Sequence, residues 1–159
     1  DRKELLALDY LVEILNIKLT ETVREEQSKV YNINAKQTTY KNPKPLCALR
    51  IQFGCAPKFV DSIINSVEKT MLKIANNGPE KIDYEKVKET KLRHAELSSK
   101  KNSTWLAQLE SQYSDGFPAE SVDETLARIK QITVDDIKQA AIKYFNTKNK
   151  IKAVLLPEK

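Results

Sequence analysis

The sequence predicts an α+β fold, a mainly antiparallel sheet with helices packed on one face, and three observations predict it. Residues 3–26 repeat apolar side chains at three- and four-residue steps. Residues 30–40 and 46–55 alternate with period two on either side of KNPKP. From Pro57 to Phe145 the spacing is helical again, before a short apolar run, IKAVLL.

The first helix presents Leu5, Leu8, Leu11, Val12, Leu15, Leu19 and Val23 on one stripe. Leu6, Ile14 and Ile17 widen that stripe, so the helix is expected to be covered on more than one side. It starts so close to Asp1 that its leading cap, and a first strand or strands of the sheet, can be missing. In VYNINAKQTTY, strict alternation sets Tyr31, Ile33 and Ala35 against Asn32, Asn34 and Lys36. In LCALRIQFGC it sets Cys47, Leu49, Ile51, Phe53 and Cys55 on the apolar side. The prolines of KNPKP break the ladder and favour a turn, which makes an antiparallel hairpin with one solvated or clefted face.

Pro57 suits the first position of a second helix running to about Asn77, with Phe59, Val60, Ile63, Ile64, Val67, Met71 and Ile74 inward. A third helix, from about Tyr84 to Ser98, has a weaker face of Tyr84, Val87, Leu92 and Ala95. A fourth, around Thr104 to Tyr113, puts Trp105 in the core with Leu109 and Tyr113. Ser121 with Glu124 and Thr133 with Asp136 form capping boxes that start two more helices. IKAVLL reads as a final strand returning to the sheet, stopped by Pro157.

A chain of 159 residues with 40% apolar side chains is expected to form one domain, or a domain fragment of a larger protein. At that length, folding buries about 68–70% of the extended-chain surface. No segment approaches the roughly 20 apolar residues that cross a bilayer, and DRKELLALDY lacks the order of a signal peptide, which leaves the compartment open. The net charge of +5 is spread along the chain, and no zinc-finger spacing, glycine-rich clamp or basic-aromatic region points to nucleic acid. Cys47 and Cys55, about 27 Å apart on one strand, are beyond disulfide reach and read as buried small hydrophobes.

One histidine and two distant cysteines do not supply a zinc site, which needs three or four ligands. His94 reads as a surface or packing residue, and no nucleophile–base pair or phosphate cradle is present. By itself the chain is expected to bind no metal cofactor and to hydrolyse nothing.

Four segments nevertheless resemble, in the same order, the carboxy-terminal domains of the pitrilysin/insulinase family of zinc peptidases and their mitochondrial processing peptidase relatives. They are LTETVREEQSKVYNINA, LRIQFGCAPKFVDSIINSVEKTM, NSTWLAQLESQYSDG and ITVDDIKQAAIKYFNTKNKIKAVLLP. The resemblance implies a metallopeptidase-like α/β sandwich. It also implies a homologous amino-terminal domain, in the same chain or a partner subunit, that carries zinc on an H-x-x-E-H motif absent here. The implied substrate is a peptide. The alternative within the family is a noncatalytic structural or peptide-binding subunit.

The resemblance further implies roles for Arg24 and Tyr31, seven residues apart, as auxiliary groups that point into the peptide chamber. A phenol donates one hydrogen bond and a guanidinium several in a rigid fork, and fixed donors stabilise the oxyanion formed in amide hydrolysis. Tyr31 is expected at the scissile oxygen and Arg24 at an adjacent carbonyl. From position alone, Arg24 serves the helix end or pairs with Glu21, and Tyr31 packs as an aromatic. Asn32, Asn34 and Lys36 line the peptide chamber or else a solvated sheet face. The family pattern often has glycine before the valine–tyrosine pair, where this chain has Ser28 and Lys29.

Overall fold

Helix α1 (Arg2–Leu19) is the element around which the others pack. The computed structural model describes residues 1–25, 30–41, 43–145 and 149–156, except the side chains of residues 24 and 25. The cap that was expected to be missing is Asp1 itself, whose carboxylate accepts the Lys3 N–H at 2.9 Å. Eight α1 residues are buried, from Ala7 to Leu19, and β1, α2, α3 and α6 all touch the helix. This is the all-round cover that the wide apolar stripe requires.

Regular α geometry ends at Leu19, before the expected Glu26, and a π-helical turn follows (Thr20–Glu25). The Thr20 and Thr22 hydroxyls donate to the Asn16 and Lys18 carbonyls at 2.9 and 2.7 Å. Such local bonds compete with the regular ladder, and π turns form where it loosens.

Strands β1 (Val30–Tyr40) and β2 (Leu46–Cys55) pair antiparallel from Tyr40↔Leu46 back towards Val30↔Cys55. Val30 and Ala35 are buried against the helices, and Ile33, Leu49, Ile51, Phe53 and Cys55 pack partly against the same core. Both cysteines are free; Cys55 is half-buried, but Cys47 is exposed at the turn end of β2, contrary to expectation.

The sheet has two strands among the described residues. Ile151–Leu156 forms no strand and Leu155 is fully exposed, so the expected return of IKAVLL to the sheet does not occur. Instead Lys150 and Lys152 both reach Glu68, at 2.6 and 3.1 Å. Ion pairs, not a β ladder, hold this segment.

Pro57–Phe59 makes a single 3₁₀ turn that leads into α2 (Val60–Asn77), which buries Ile63, Val67 and Ile74. In α3 (Lys81–Ser98), Tyr84 and Val87 face the core together with Lys91, which is only 8% exposed. Lys91 Nζ lies 2.5 Å from Asp9 and 2.6 Å from Glu13, and 5.2 Å from the centre of the Tyr10 ring. A cation on the inward face explains why the apolar pattern of α3 looked weak. Tyr10 and Tyr84 stack at 6.2 Å and donate to the carbonyls of Ile129 and Ile132.

Helix α4 (Asn102–Asp115) buries no residue. Trp105 is 39% exposed, with its indole N–H on the Ser99 carbonyl, and is not the expected core anchor. Polar bonds tie this helix down, since Gln108 and Gln112 accept the backbone N–H groups of Glu120 and Ala119. Both capping boxes form as expected, opening α5 (Val122–Gln131) and α6 (Val134–Tyr144).

Glu4 ties the first turn of α1 to the last turn of α6 by accepting Lys143 and Tyr144. These bonds, chiefly that from Lys143, hold its carboxyl below the usual carboxylate range. A depressed folded pKa contributes stability that is present above the unfolded pKa and lost as pH falls through the folded value. Unfolding free energy measured by urea between about pH 6 and about pH 3 is therefore expected to fall less steeply in Glu4→Gln than in the parent.

Candidate functional site

Strand β1 is laid along α1 by two side chains two turns apart on the helix. Asp9 accepts the Gln37 amide at 3.2 Å, and Asn16 holds Ala35 by both main-chain groups. The Asn16 Nδ2 donates to the Ala35 carbonyl at 2.8 Å, and the Ala35 N–H donates to Asn16 Oδ1 at 2.6 Å. An amide side chain thus takes the place of a neighbouring strand where the main chain would otherwise be unpaired.

The pairing runs evenly from Tyr40 to Asn32 and then slips, Asn32 facing Gly54 and Val30 facing Cys55. Tyr31 is the extra residue of this bulge. An inserted residue shifts the two-residue alternation by one step. Val30 is buried, whereas Tyr31 is 83% exposed and Asn32 is exposed. The sequence expectation that Tyr31 shares a face with Ile33 and Ala35 is therefore wrong, and the bulge is the reason.

Tyr31 emerges with Asn32, Asn34 and Lys36 on the open side of the hairpin. The structure thus brings together four of the five residues singled out from the sequence. The backbone of Arg24 lies in the Thr20–Glu25 turn, and its side chain lies outside the described residues. Across the strands, Asn32, Asn34 and Lys36 face Gly54, Gln52 and Arg50. A Cβ at Gly54 would stand 3.2 Å from Asn32 Oδ1, so glycine leaves room for that amide.

Asn16, Arg50 and Gln52 were missed. A signal for two of them was available: once Tyr40 pairs with Leu46 across the turn, each step back along β1 matches one forward along β2. Nothing in the sequence marked Asn16, a polar residue at the edge of an apolar stripe.

The open face is a set of hydrogen-bond donors without a nucleophile–base pair. His94 is exposed on α3, outside this face. Among the described residues, no group of three or more His, Cys, Asp or Glu side chains converges to hold a metal ion. A hollow of about 280 Å³ between the start of α1 and α6 includes none of the open-face residues. Its charges are matched internally, Lys3 with Asp136 and Lys143 with Glu4.

The described residues form a two-stranded hairpin on a helical layer, with a polar open face and no converging set of metal ligands among them. Residues 1–91 match the family model described as the Peptidase M16 inactive domain. The chain belongs to that family, the pitrilysin group of peptidases, as its carboxy-terminal inactive domain.

The periplasmic protease PqqL from Escherichia coli is similar at 20% identity and TM-score 0.75, over 89% of this chain and 16% of that one. An M16 inactive domain from Pseudomonas fluorescens is similar at 18% identity and TM-score 0.70, over 86% and 34%. A putative zinc protease from Bordetella pertussis is similar at 15% and 0.73, over 98% and 86%. At these identities the likeness is one of fold, and it extends beyond residue 91. The chain spans about a sixth of the length of the first of these structures and a third of the second. Comparison with curated proteins gives no match.

Replacing Asn16 with Ala leaves two main-chain groups of Ala35 to water or to nothing, a loss of about 1–3 kcal/mol. Urea unfolding is expected to show that loss, and hydrogen exchange to show the Ala35 amide opening faster than its neighbours. Unchanged exchange at Ala35 would remove the clamp.

Proposed function

We propose that this chain is the substrate-enclosing part of a zinc-dependent endopeptidase or oligopeptidase, not catalytic in isolation, and that its open hairpin face meets the peptide. One observation carries the reading. Tyr31, the residue the family resemblance selects for its hydroxyl, is turned by the bulge out of the core and onto a polar face. A packing tyrosine belongs on the other side of the strand.

Among the described residues no set of side chains fits a zinc ion, so the metal and the H-x-x-E-H motif belong in this reading to a homologous amino-terminal domain, in the same chain or a partner subunit. What this chain supplies is donors. Tyr31 offers one O–H to the oxygen on which charge develops, and Arg24 is assigned an adjacent carbonyl. Asn32 and Asn34 offer amides to the peptide main chain, and Lys36 a mobile cation. A face rigidly held from behind keeps such donors aimed, which is the condition for their effect on the transition state.

The test is Tyr31→Phe in the complete protein that contains this chain, assayed by peptide cleavage. Loss of one donor to the oxyanion is expected to lower kcat by about 10²–10³-fold. Because Tyr31 is so exposed, the melting temperature is expected to stay where it is. Undiminished turnover would reject the catalytic assistance by Tyr31, and no turnover in the unsubstituted complete protein would leave a noncatalytic structural or peptide-binding subunit as the function.

A further inference from the structure

The hairpin, residues 30–55, contains Lys36, Lys41, Lys44 and Arg50 and not one of the 22 acidic residues of the chain. Lys36 and Arg50 stand directly opposite each other in the register, both exposed on the open face. Like charges facing across an antiparallel pair disfavour the sheet. Other cations of the protein are matched by acids, as in Lys91 with Asp9 and Glu13 or Lys18 with Glu80 and Asp83. Among the described residues, neither Lys36 nor Arg50 has a hydrogen-bond or ion-pair partner.

The backbone beneath this pair is fixed. Ala35, next to Lys36, is the residue that Asn16 clamps, and it faces Ile51, next to Arg50. Asn34 and Gln52 form the adjoining pair, adding uncharged amide donors on one side. Two cations opposite each other on a strand pair that itself carries no acid suit one anion. A guanidinium fork and an ammonium match a carboxylate, the first in pairs of hydrogen bonds and the second as a point charge.

We propose that Lys36 and Arg50 form a carboxylate subsite that selects peptides bearing a Glu or Asp side chain. The inference rests on the reading of the open face as a peptide surface and adds its preference. The geometry suits a single carboxylate better than a nucleic acid backbone, because the cations face one another and do not form a stripe along a groove.

The test uses this chain, two labelled nine-residue alanine-based peptides that differ only in a central Glu or Gln, and fluorescence anisotropy at low salt. The Glu peptide is expected to bind roughly fivefold more tightly, the size of a solvent-accessible ion pair, with the difference shrinking at high salt. Lys36→Gln and Arg50→Gln are each expected to reduce that preference without lowering the melting temperature. Lys86→Gln, at an exposed site on α3, is expected to leave it unchanged. Equal binding of the two peptides would overturn the carboxylate subsite while leaving the peptide face intact. Binding of neither at millimolar concentration would overturn both. Displacement of the Glu peptide by a single-stranded oligonucleotide, lost in the same variants, would reassign the pair to phosphate and overturn the proposal.

Discussion

The double hydrogen bond between the Asn16 amide and the main chain of Ala35 fixes how the sheet meets the helices, and the features of the open face follow from it. A hairpin of two strands is marginal in water, and its free edge leaves peptide groups unpaired. Here the buried helix α1 supports β1 from behind with apolar contacts and holds its edge with a side chain. With Ala35 and Ile33 turned inward, Asn34 and Lys36 must point outward. The bulge at Tyr31 then decides what joins them, because one extra residue shifts the alternation by a step, turning Val30 into the core and leaving Tyr31 exposed.

Much of this architecture was legible in the sequence. The hairpin boundaries followed from period-two alternation broken by KNPKP, the two capping boxes from Ser121–Glu124 and Thr133–Asp136, and the central position of α1 from a stripe too wide for one contact. Each is a local signal that tertiary contacts reinforce. The failures have local causes too. Strict alternation cannot register a bulge, so Tyr31 was set on the wrong face. Helical spacing of Trp105, Leu106 and Leu109 gives a direction but no partner, and the structure provides no buried contact for α4. The apolar character of IKAVLL measures strand propensity only; with Lys150 and Lys152 engaged by Glu68, the segment pairs with no strand. Lys91 shows the reverse error, a charge that belongs inside because Asp9 and Glu13 receive it.

The site was legible only through resemblance. Spacing alone favoured a packed Tyr31 and a solvated strand face, and the residues that complete the face, Arg50 and Gln52, were visible only through the register. Tyr31, Asn32, Asn34 and Lys36 are all exposed on β1. With Arg50 and Gln52 opposite, the hairpin presents donors and cations and has no acid of its own, the chemistry on which the proposed peptide face rests. In the proposed reading the reacting centre belongs to another module, and this one presents its hairpin face to the peptide.

The most direct measurement is a heteronuclear NMR titration of the isotope-labelled chain with an extended acidic peptide. The account predicts amide shift changes concentrated at Tyr31, Asn32, Asn34, Lys36, Arg50 and Gln52. Changes centred on Leu106, Leu109 and Tyr113 of α4, with the hairpin silent, would contradict it.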